Sequence, residues 1–383
     1  MEYTKIKNIN EYVSESINPM KTPDTVFEMY SVPIYETGHP EYLRGSEIAS
    51  NKTIVRKNDV LLCKINPRIN RVWVVGDESQ YQNIASSEWI VIRTSEYNPE
   101  FLAWYFRNPK FQKLMMSEVT GIGGSLTRAQ PKAVAEYPVP VLPRLEQDAI
   151  AEVLNRVNDI INGRKRELQI LDDLVKARFV ELFGNLVSGD KIKTNKHKIG
   201  DIAFVTKLAG FEFTKYVQYK DYGDIIMLRG LNCKKGKLIL DDIKWIDKTT
   251  SDLLPRSKLY YGDILMTYAG TIGDVAMVDA DNKYHLAPNV AKITLKEKLY
   301  NPVFLMHLFL YTNDYIMSFA SKVAQASINM EKIRNFEYFF PDADMQNQFA
   351  AFVEQTNKSK AVIQKALDEA QLLFDSLMQK YFG

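Results

Sequence analysis

Asn98-Pro99-Glu100-Phe101-Leu102 in the first half of the chain returns in the second half as Asn301-Pro302-Val303-Phe304-Leu305. Other matches keep the same order. Lys5-Ile6-Lys7-Asn8-Ile9 pairs with Lys198-Ile199-Gly200-Asp201-Ile202, and Asp59-Val60-Leu61 with Asp263-Ile264-Leu265. Ser125-Leu126 pairs with Ser327-Ile328, Glu136-Tyr137 with Glu337-Tyr338, and Leu182-Phe183-Gly184 with Tyr381-Phe382-Gly383. The offsets drift only from 193 (Lys5 to Lys198) to 204 (Asp59 to Asp263). Solenoid repeats run at tens of residues, so this period marks a duplicated domain with its connector. Two similar halves suit a ligand that itself has two halves.

Around that repeat the chain is ordinary for a soluble globular protein. Its 383 residues, 46% hydrophobic and 25% charged, allow two or three domains with well-formed cores. A net charge of +2 means that any nucleic-acid surface must come from local placement of cations. Cys63 and Cys233 fall at positions the repeat does not match, which argues against a disulfide framework and for a reducing cytoplasm. Residues 1–10 lack the apolar stretch of a signal peptide, and no apolar run approaches the ~18 residues of a membrane span. The expectation is a soluble, cytoplasmic protein.

Each half divides into a mixed segment and a helical one. Thr53-Ile54-Val55, Val60-Leu61-Leu62, Val72-Trp73-Val74-Val75 and Trp89-Ile90-Val91-Ile92 read as short strands between Gly, Asn, Pro and Asp. Pro99 opens a helical stretch through Phe101, Leu102, Tyr105 and Phe106. Pro138-Val139-Pro140-Val141-Leu142-Pro143 cannot be helix and marks a boundary. Beyond it, heptad position a falls on Ile150, Val157, Arg164, Leu171 and Arg178, and d on Leu154, Ile161, Leu168, Val175 and Leu182. Shifted by 199, the second copy places Phe349, Thr356, Ile363, Ala370 and Leu377 at a, and Val353, Lys360, Leu367, Phe374 and Tyr381 at d. Both stretches lack proline, so each predicts a long helix with a coiled-coil seam, about 55 Å at 1.5 Å per residue.

The expected fold class is α+β: mixed α/β domains over 1–144 and 187–344, joined by two long antiparallel helices over 145–186 and 345–383. Two such helices bury each other's apolar stripes. The duplication then implies a cyclic pseudo-two-fold arrangement with the termini close together. The alternative is that each helix belongs to a bundle within its own domain.

Signatures of catalysis are missing. Gly236-Lys237 is followed by leucine, so there is no phosphate-binding GK[ST] loop. No glutamate is followed two residues later by lysine, as in the ExK half of nuclease sites. His39, His197, His285 and His307 are scattered without metal-ligand spacing. Asn66-Pro67-Arg68-Ile69 lacks the second proline and the stacking aromatic of an adenine methyltransferase motif. Gly121-Ile122-Gly123-Gly124 has no strand before it, as a dinucleotide site requires.

What remains are loops rich in side chains that suit DNA. The first half offers Lys64-Ile65-Asn66-Pro67-Arg68-Ile69-Asn70-Arg71 and Ser125-Leu126-Thr127-Arg128-Ala129-Gln130. The second offers Tyr268-Ala269-Gly270-Thr271-Ile272-Gly273-Asp274 and Gln325-Ala326-Ser327-Ile328-Asn329. Arginine reads guanine, Asn and Gln read adenine, and hydroxyls and backbone amides hold phosphate. A solvated turn accounts for any one of these loops alone. Recurrence at matching places with different residues is what two readers of different sequences require. Lys191, Lys193, Lys196, His197 and Lys198 form a basic linker between the halves.

Over its full length the chain resembles the specificity subunit of type I restriction-modification systems. The resemblance is carried by Gly270-Thr271-Ile272-Gly273-Asp274 with Leu286-Ala287-Pro288-Asn289-Val290-Ala291-Lys292-Ile293, and by Pro140-Val141-Leu142-Pro143-Arg144-Leu145-Glu146-Gln147-Asp148-Ala149-Ile150-Ala151 at the start of the long helix. The first half departs from it, with Lys64-Ile65-Asn66-Pro67-Arg68 in place of the glycine turn. The resemblance implies a non-catalytic subunit whose two recognition domains each read half of a split double-stranded DNA target. The helices would act as a ruler for the gap. They would also dock two methyltransferase subunits and, through these, restriction subunits, with S-adenosylmethionine, ATP and Mg on the partners and no cofactor on this chain.

The candidate DNA contacts are Lys64, Arg68, Arg71, Ser125, Arg128 and Gln130 in the first half. In the second they are Arg229, Tyr268, Thr271, Asn289, Gln325, Ser327 and Asn329. The candidate partner-docking positions are Ile150, Leu154, Val157, Ile161, Leu168, Leu171, Val175, Phe349, Val353, Ile363, Leu367 and Phe374. A duplicated protein-binding scaffold without DNA readout is the alternative function.

Overall fold

β-Branched and aromatic runs form strands, and proline-opened apolar segments form helices, in the computed structural model, which describes residues 2–76, 79–117, 119–120, 127–321 and 326–383. The first half runs through β1 (Val26–Tyr30), β2 (Val60–Cys63), β3 (Val72–Val74), β4 (Gln82–Ala85), β5 (Trp89–Ile92), α1 (Pro99–Arg107) and α2 (Arg144–Phe183). The second runs through β6 (Ala203–Lys207), β7 (Ile225–Leu228), β8 (Ile264–Thr267), β9 (Val275–Met277), β10 (Tyr284–Leu286), β11 (Val290–Leu295), α3 (Pro302–Tyr311) and α4 (Ala343–Phe382).

The duplication is legible in the sheets. An antiparallel sheet of order β3-β2-β5 in the first half matches the β9-β8-β11 portion of a sheet of order β6-β11-β8-β9 in the second. A parallel pair, β1 with β4, matches β7 with β10. β6 extends the second sheet by pairing Lys207 with Ala291 of β11.

Two units result: Met1–Lys165 with Lys365–Gly383, and Arg166–Gln364. The division falls inside both 40-residue helices rather than at residues 144, 186 and 344. Each unit therefore takes one portion of each helix into its core. In the first unit Phe382 packs edge-on to Phe101 at 5.6 Å and Phe374 edge-on to Trp104 at 5.3 Å. In the second, Phe183 meets Phe304 at 5.0 Å and Phe349 at 5.6 Å, while Lys360 pairs with Asp172. Residue numbers rise on one helix as they fall on the other, so the two segments in this unit run antiparallel.

The same capping network anchors the helix starts in each unit. The Asn98 side chain accepts from the N–H groups of Glu100 and Phe101, and that of Asn301 from those of Val303 and Phe304. Buried Gln147 accepts from the Asn98 N–H at 2.8 Å and donates to the Leu142 carbonyl at 2.8 Å. Buried Gln346 does the same with Asn301 (2.9 Å) and Pro341 (2.9 Å).

Leu154, Val157, Ile161 and Val175 are buried as the heptads predict. Towards the end of α2 the burial moves to Phe179 and Phe183, away from Arg178 and Leu182. A straight helix drifts about 20° per heptad against a 3.5 repeat, and this drift carries those aromatics onto α3.

The candidate docking positions lie on this inward face to different degrees. Leu154, Val157, Ile161, Val175, Phe349 and Val353 are buried, and Ile150, Leu168, Leu171, Ile363, Leu367 and Phe374 partly so. The buried six serve the chain's own packing, and the other six keep part of their surface exposed. Among the described residues no helix is long and apolar enough to cross a membrane.

Candidate nucleic-acid interface

Both loop pairs singled out in the sequence are brought together at one end of a sheet. In the first unit the Asn66 N–H donates to the Thr127 carbonyl at 2.8 Å and the Ala129 N–H to the Lys64 carbonyl at 2.9 Å. In the second the Ile328 N–H donates to the Tyr268 carbonyl at 2.9 Å. Ile65 faces Arg128 in an antiparallel bridge, as Ala269 faces Ser327. A third segment joins each pair. The Lys64 N–H donates to the Glu88 carbonyl (3.0 Å), and the Tyr268 N–H to the Asn289 carbonyl (3.0 Å). Lys64 thus stands where Tyr268 stands, and Glu88 where Asn289 does.

The missing glycine turn of the first half has a physical replacement. Gly270 and Gly273 have φ of 82° each. A Cβ on Gly273 would lie 2.5 Å from Nδ2 of Asn313, which donates to the Gly273 carbonyl at 2.9 Å. In the first unit Asn66 and Asn70 take the same left-handed conformation, at φ 48° and 49°. Asparagine is among the few side-chain-bearing residues that visit this region readily. Asn70 Nδ2 also donates to the Arg107 carbonyl at 2.9 Å, so this turn too is tied to its helix.

The candidate contacts differ in how free they are. Arg68 is exposed beside half-buried Lys64. Arg71 is mostly buried, 3.9 Å from Glu36. Arg128 is held by Glu88 through two 3.2 Å bonds, from Nε and Nη2. Half-buried Gln130 accepts the Val134 N–H at its carbonyl. Thr271 and Asn289 are exposed, and Ser327 is half-buried. The Asn329 side chain instead caps a short helix by accepting the Lys332 N–H at 2.8 Å. Arg229 is turned to Asp242, donating to its carboxylate and carbonyl at 2.8 Å each. Ser125 and Gln325 lie outside the described residues.

Two participants were not anticipated from the sequence. Exposed Lys207, at the end of β6, sits with its ammonium 5.5 Å from the centre of the Tyr268 ring. Glu88 sets the direction of Arg128. Neither lies in a loop that its own composition marks, and only strand pairing brings them to the site. In β10, buried His285 has Nδ1 3.0 Å from the Ser251 hydroxyl, and burial pushes its imidazole down to about 4.

Residues 192–371 match the family described as the type I restriction modification DNA specificity domain. The chain is 21% identical over 320 residues to the type I restriction enzyme EcoBI specificity subunit of Escherichia coli, covering 76% of this chain and 65% of that one. This chain thus spans slightly less than two thirds of that relative. It is also 21% identical over 360 residues to the MjaVIII specificity subunit of Methanocaldococcus jannaschii, covering 85% and 81%.

Among solved structures, the S subunit of a type I system from M. genitalium aligns with TM-score 0.59 at 11% identity, covering 100% of this chain and 96% of the other. A chain solved for complex assembly and conformational transition of the type I R-M system aligns with TM-score 0.57 at 15% identity, covering 100% and 97%. Over residues 192–371 the chain is therefore similar to the type I restriction modification DNA specificity domain family, and as a whole it is similar in sequence and in fold to type I restriction-modification specificity subunits.

Proposed function

We propose that the chain is the DNA-reading, non-catalytic subunit of a type I restriction-modification complex, each unit reading one half of a split double-stranded target. One observation carries this. The same loop pair is built at the same sheet end in both units, with Ala129 bonded to Lys64 as Ile328 is to Tyr268, yet with different side chains. Lys64 and Arg68 offer cations beside an Arg128 paired with Glu88, where Tyr268, Thr271 and Ser327 offer an aromatic and hydroxyls. A conserved frame with divergent contact groups is the chemistry of two readers with different preferences.

The two helices set the gap between half-sites. Forty residues extend about 60 Å. Their exposed apolar residues, among them Leu145, Val153, Ile160, Ile170, Leu174 and Leu372, are the docking surface for two methyltransferase subunits, through which restriction subunits assemble. S-adenosylmethionine, ATP and Mg act on those partners.

Methylome sequencing of cells expressing the chain with its methyltransferase partner tests the reading, and a split adenine-methylated motif is expected. Removing one heptad from each helix should close the gap by about three base pairs, since about 10 Å of helix matches three 3.4 Å steps. An unchanged gap refutes the ruler. An unmethylated genome, with the partner still bound to the chain, favours the scaffold alternative.

A further inference from the structure

We infer that the second unit grips the phosphate strands on either side of its recognition loop, with Lys207 at one flank and Lys234, Lys235 and Lys237 at the other. This rests on the DNA-reading function proposed above and adds a sequence-independent clamp that, among the described residues, is built in the second unit. The strand registers place the groups in a row. Lys207 pairs with Ala291 at the start of β11, Val290 with Thr267 at the end of β8, and Met266 with Val275 at the start of β9.

Beyond β9 lies the turn joining the strands Cys233–Lys234 and Lys237–Leu238. There the Gly236 N–H donates to the Val275 carbonyl at 2.8 Å, and the Lys235 N–H to Asp274 Oδ1 at 3.4 Å. Four neighbour spacings of about 4.8 Å make this row roughly 20 Å long. That is enough to reach the backbones bordering a major groove about 12 Å wide.

The turn is fixed and its charges are available. Lys235 and Gly236 hold φ of 48° and 83°, and a Cβ on Gly236 would press on Met306 Sδ at 3.1 Å. Lys207, Lys234, Lys235 and Lys237 are exposed, and among the described residues none is ion-paired to a carboxylate. The three hairpin lysines also line a cavity of about 640 Å³ shared with Asp172 and Asp173 of α2, where Asp172 is already paired with Lys360.

Among the described residues the first unit shows no counterpart. Its segment at the same place is Ser31-Val32-Pro33-Ile34-Tyr35-Glu36-Thr37-Gly38-His39-Pro40, anchored by the Tyr35 hydroxyl donating to the Val72 carbonyl at 3.2 Å. It contains no lysine or arginine, and its one acid is Glu36.

The test is binding of the full chain to a 30-base-pair duplex of arbitrary sequence, followed by fluorescence anisotropy from about 50 to 200 mM salt. Each phosphate contact contributes about 0.9 to the slope of log affinity on log salt. K234Q/K235Q/K237Q should lower the slope by up to about 2.7, K207Q by up to about 0.9, and K234R/K235R/K237R should keep it. The loss should be the same factor on every sequence. A steep wild-type slope that the glutamine variants leave unchanged overturns the clamp. So does an unchanged slope with loss of methyltransferase binding, which would make the hairpin a protein-docking edge. A wild-type chain without salt-dependent binding overturns the DNA-reading function itself.

Discussion

Asp59 in the first unit and Asp263 in the second occupy the same place and are treated differently. Each accepts a backbone N–H from the residue three before it, Arg56 at 2.8 Å and Tyr260 at 2.8 Å, closing the turn into β2 or β8. Asp59 is then locked by Arg93, with Nε and Nη2 both at 2.7 Å. Asp263 instead accepts the hydroxyl of Thr294, at the position matching Arg93, with Lys292 Nζ 4.0 Å away. The requirement common to both is an acceptor for the turn, and the charge partner is replaceable. Buried histidine differs in the same way. His285 and His307 are buried in the second unit, whereas His39 of the first is exposed.

Acid should therefore separate the units most strongly. Burial pushes both imidazoles down to about 4, and the His307 ring is oriented by an Nδ1–H bond to the Val303 carbonyl at 2.8 Å. The folded value lies below the unfolded one, near 6.5. Stability is therefore full above about pH 6.5 and is lost as pH falls towards 4, on the order of 3 kcal/mol for each histidine. Hydrogen exchange at pH 5 against pH 7 should show β7, β10 and α3 losing protection before β2, β5 and α1. Simultaneous loss in both units would break the comparison.

Arg93→Ala comes next, at about 3 kcal/mol by urea denaturation, because it strands a buried carboxylate while Arg93 itself is only about one-fifth exposed. Asp263→Asn should stay within about 1 kcal/mol, since an amide still accepts from Tyr260 and can donate to Thr294. Equal losses at the two sites would show that the charge, rather than the acceptor, is the common requirement.

Much of this frame was legible in the sequence, for identifiable reasons. The strands near 53–55, 60–62, 72–75 and 89–92 and the helix opening at Pro99 follow from local residue types, and each appears within a residue or two. The long helices follow from apolar period. The loop pairs were legible because they recur. Glu88 and Lys207 were not, because each joins the site through pairing across 24 residues or more, as from Lys64 to Glu88, and no local pattern encodes that. Apart from Thr356 the buried heptad positions are apolar, as the period predicts, and apolar period alone does not distinguish a seam residue from a docking residue. Gln147 and Gln346 carried no signal beyond the repeat itself.

The capping network sharpens the likeness of the units. Asn98→Ala and Asn301→Ala each remove a side chain that accepts two helix N–H groups, and should cost about 1 kcal/mol each. Thermal denaturation followed at both helices should give similar values. A difference above about 1 kcal/mol would mean that the two helix starts share a geometry without sharing its energetic weight.

The smallest effect on stability tests the difference in the contact loops. Glu88 and Asn289 hold the same backbone place, but only Glu88 carries a charge, and it neutralises Arg128. The pair is partly exposed, so Glu88→Asn should leave stability nearly unchanged. Its effect on DNA should be larger than that on folding, because the substitution releases a guanidinium into the first loop and gives that loop the neutral residue of the second. Under the proposed function the salt slope should steepen by about 0.9, one added phosphate contact, and discrimination should change at the first half-site while the second keeps its preference. If both half-sites respond, the loops are not independent readers; if neither does, Arg128 lies off the DNA path and the first unit reads through Lys64 and Arg68 alone.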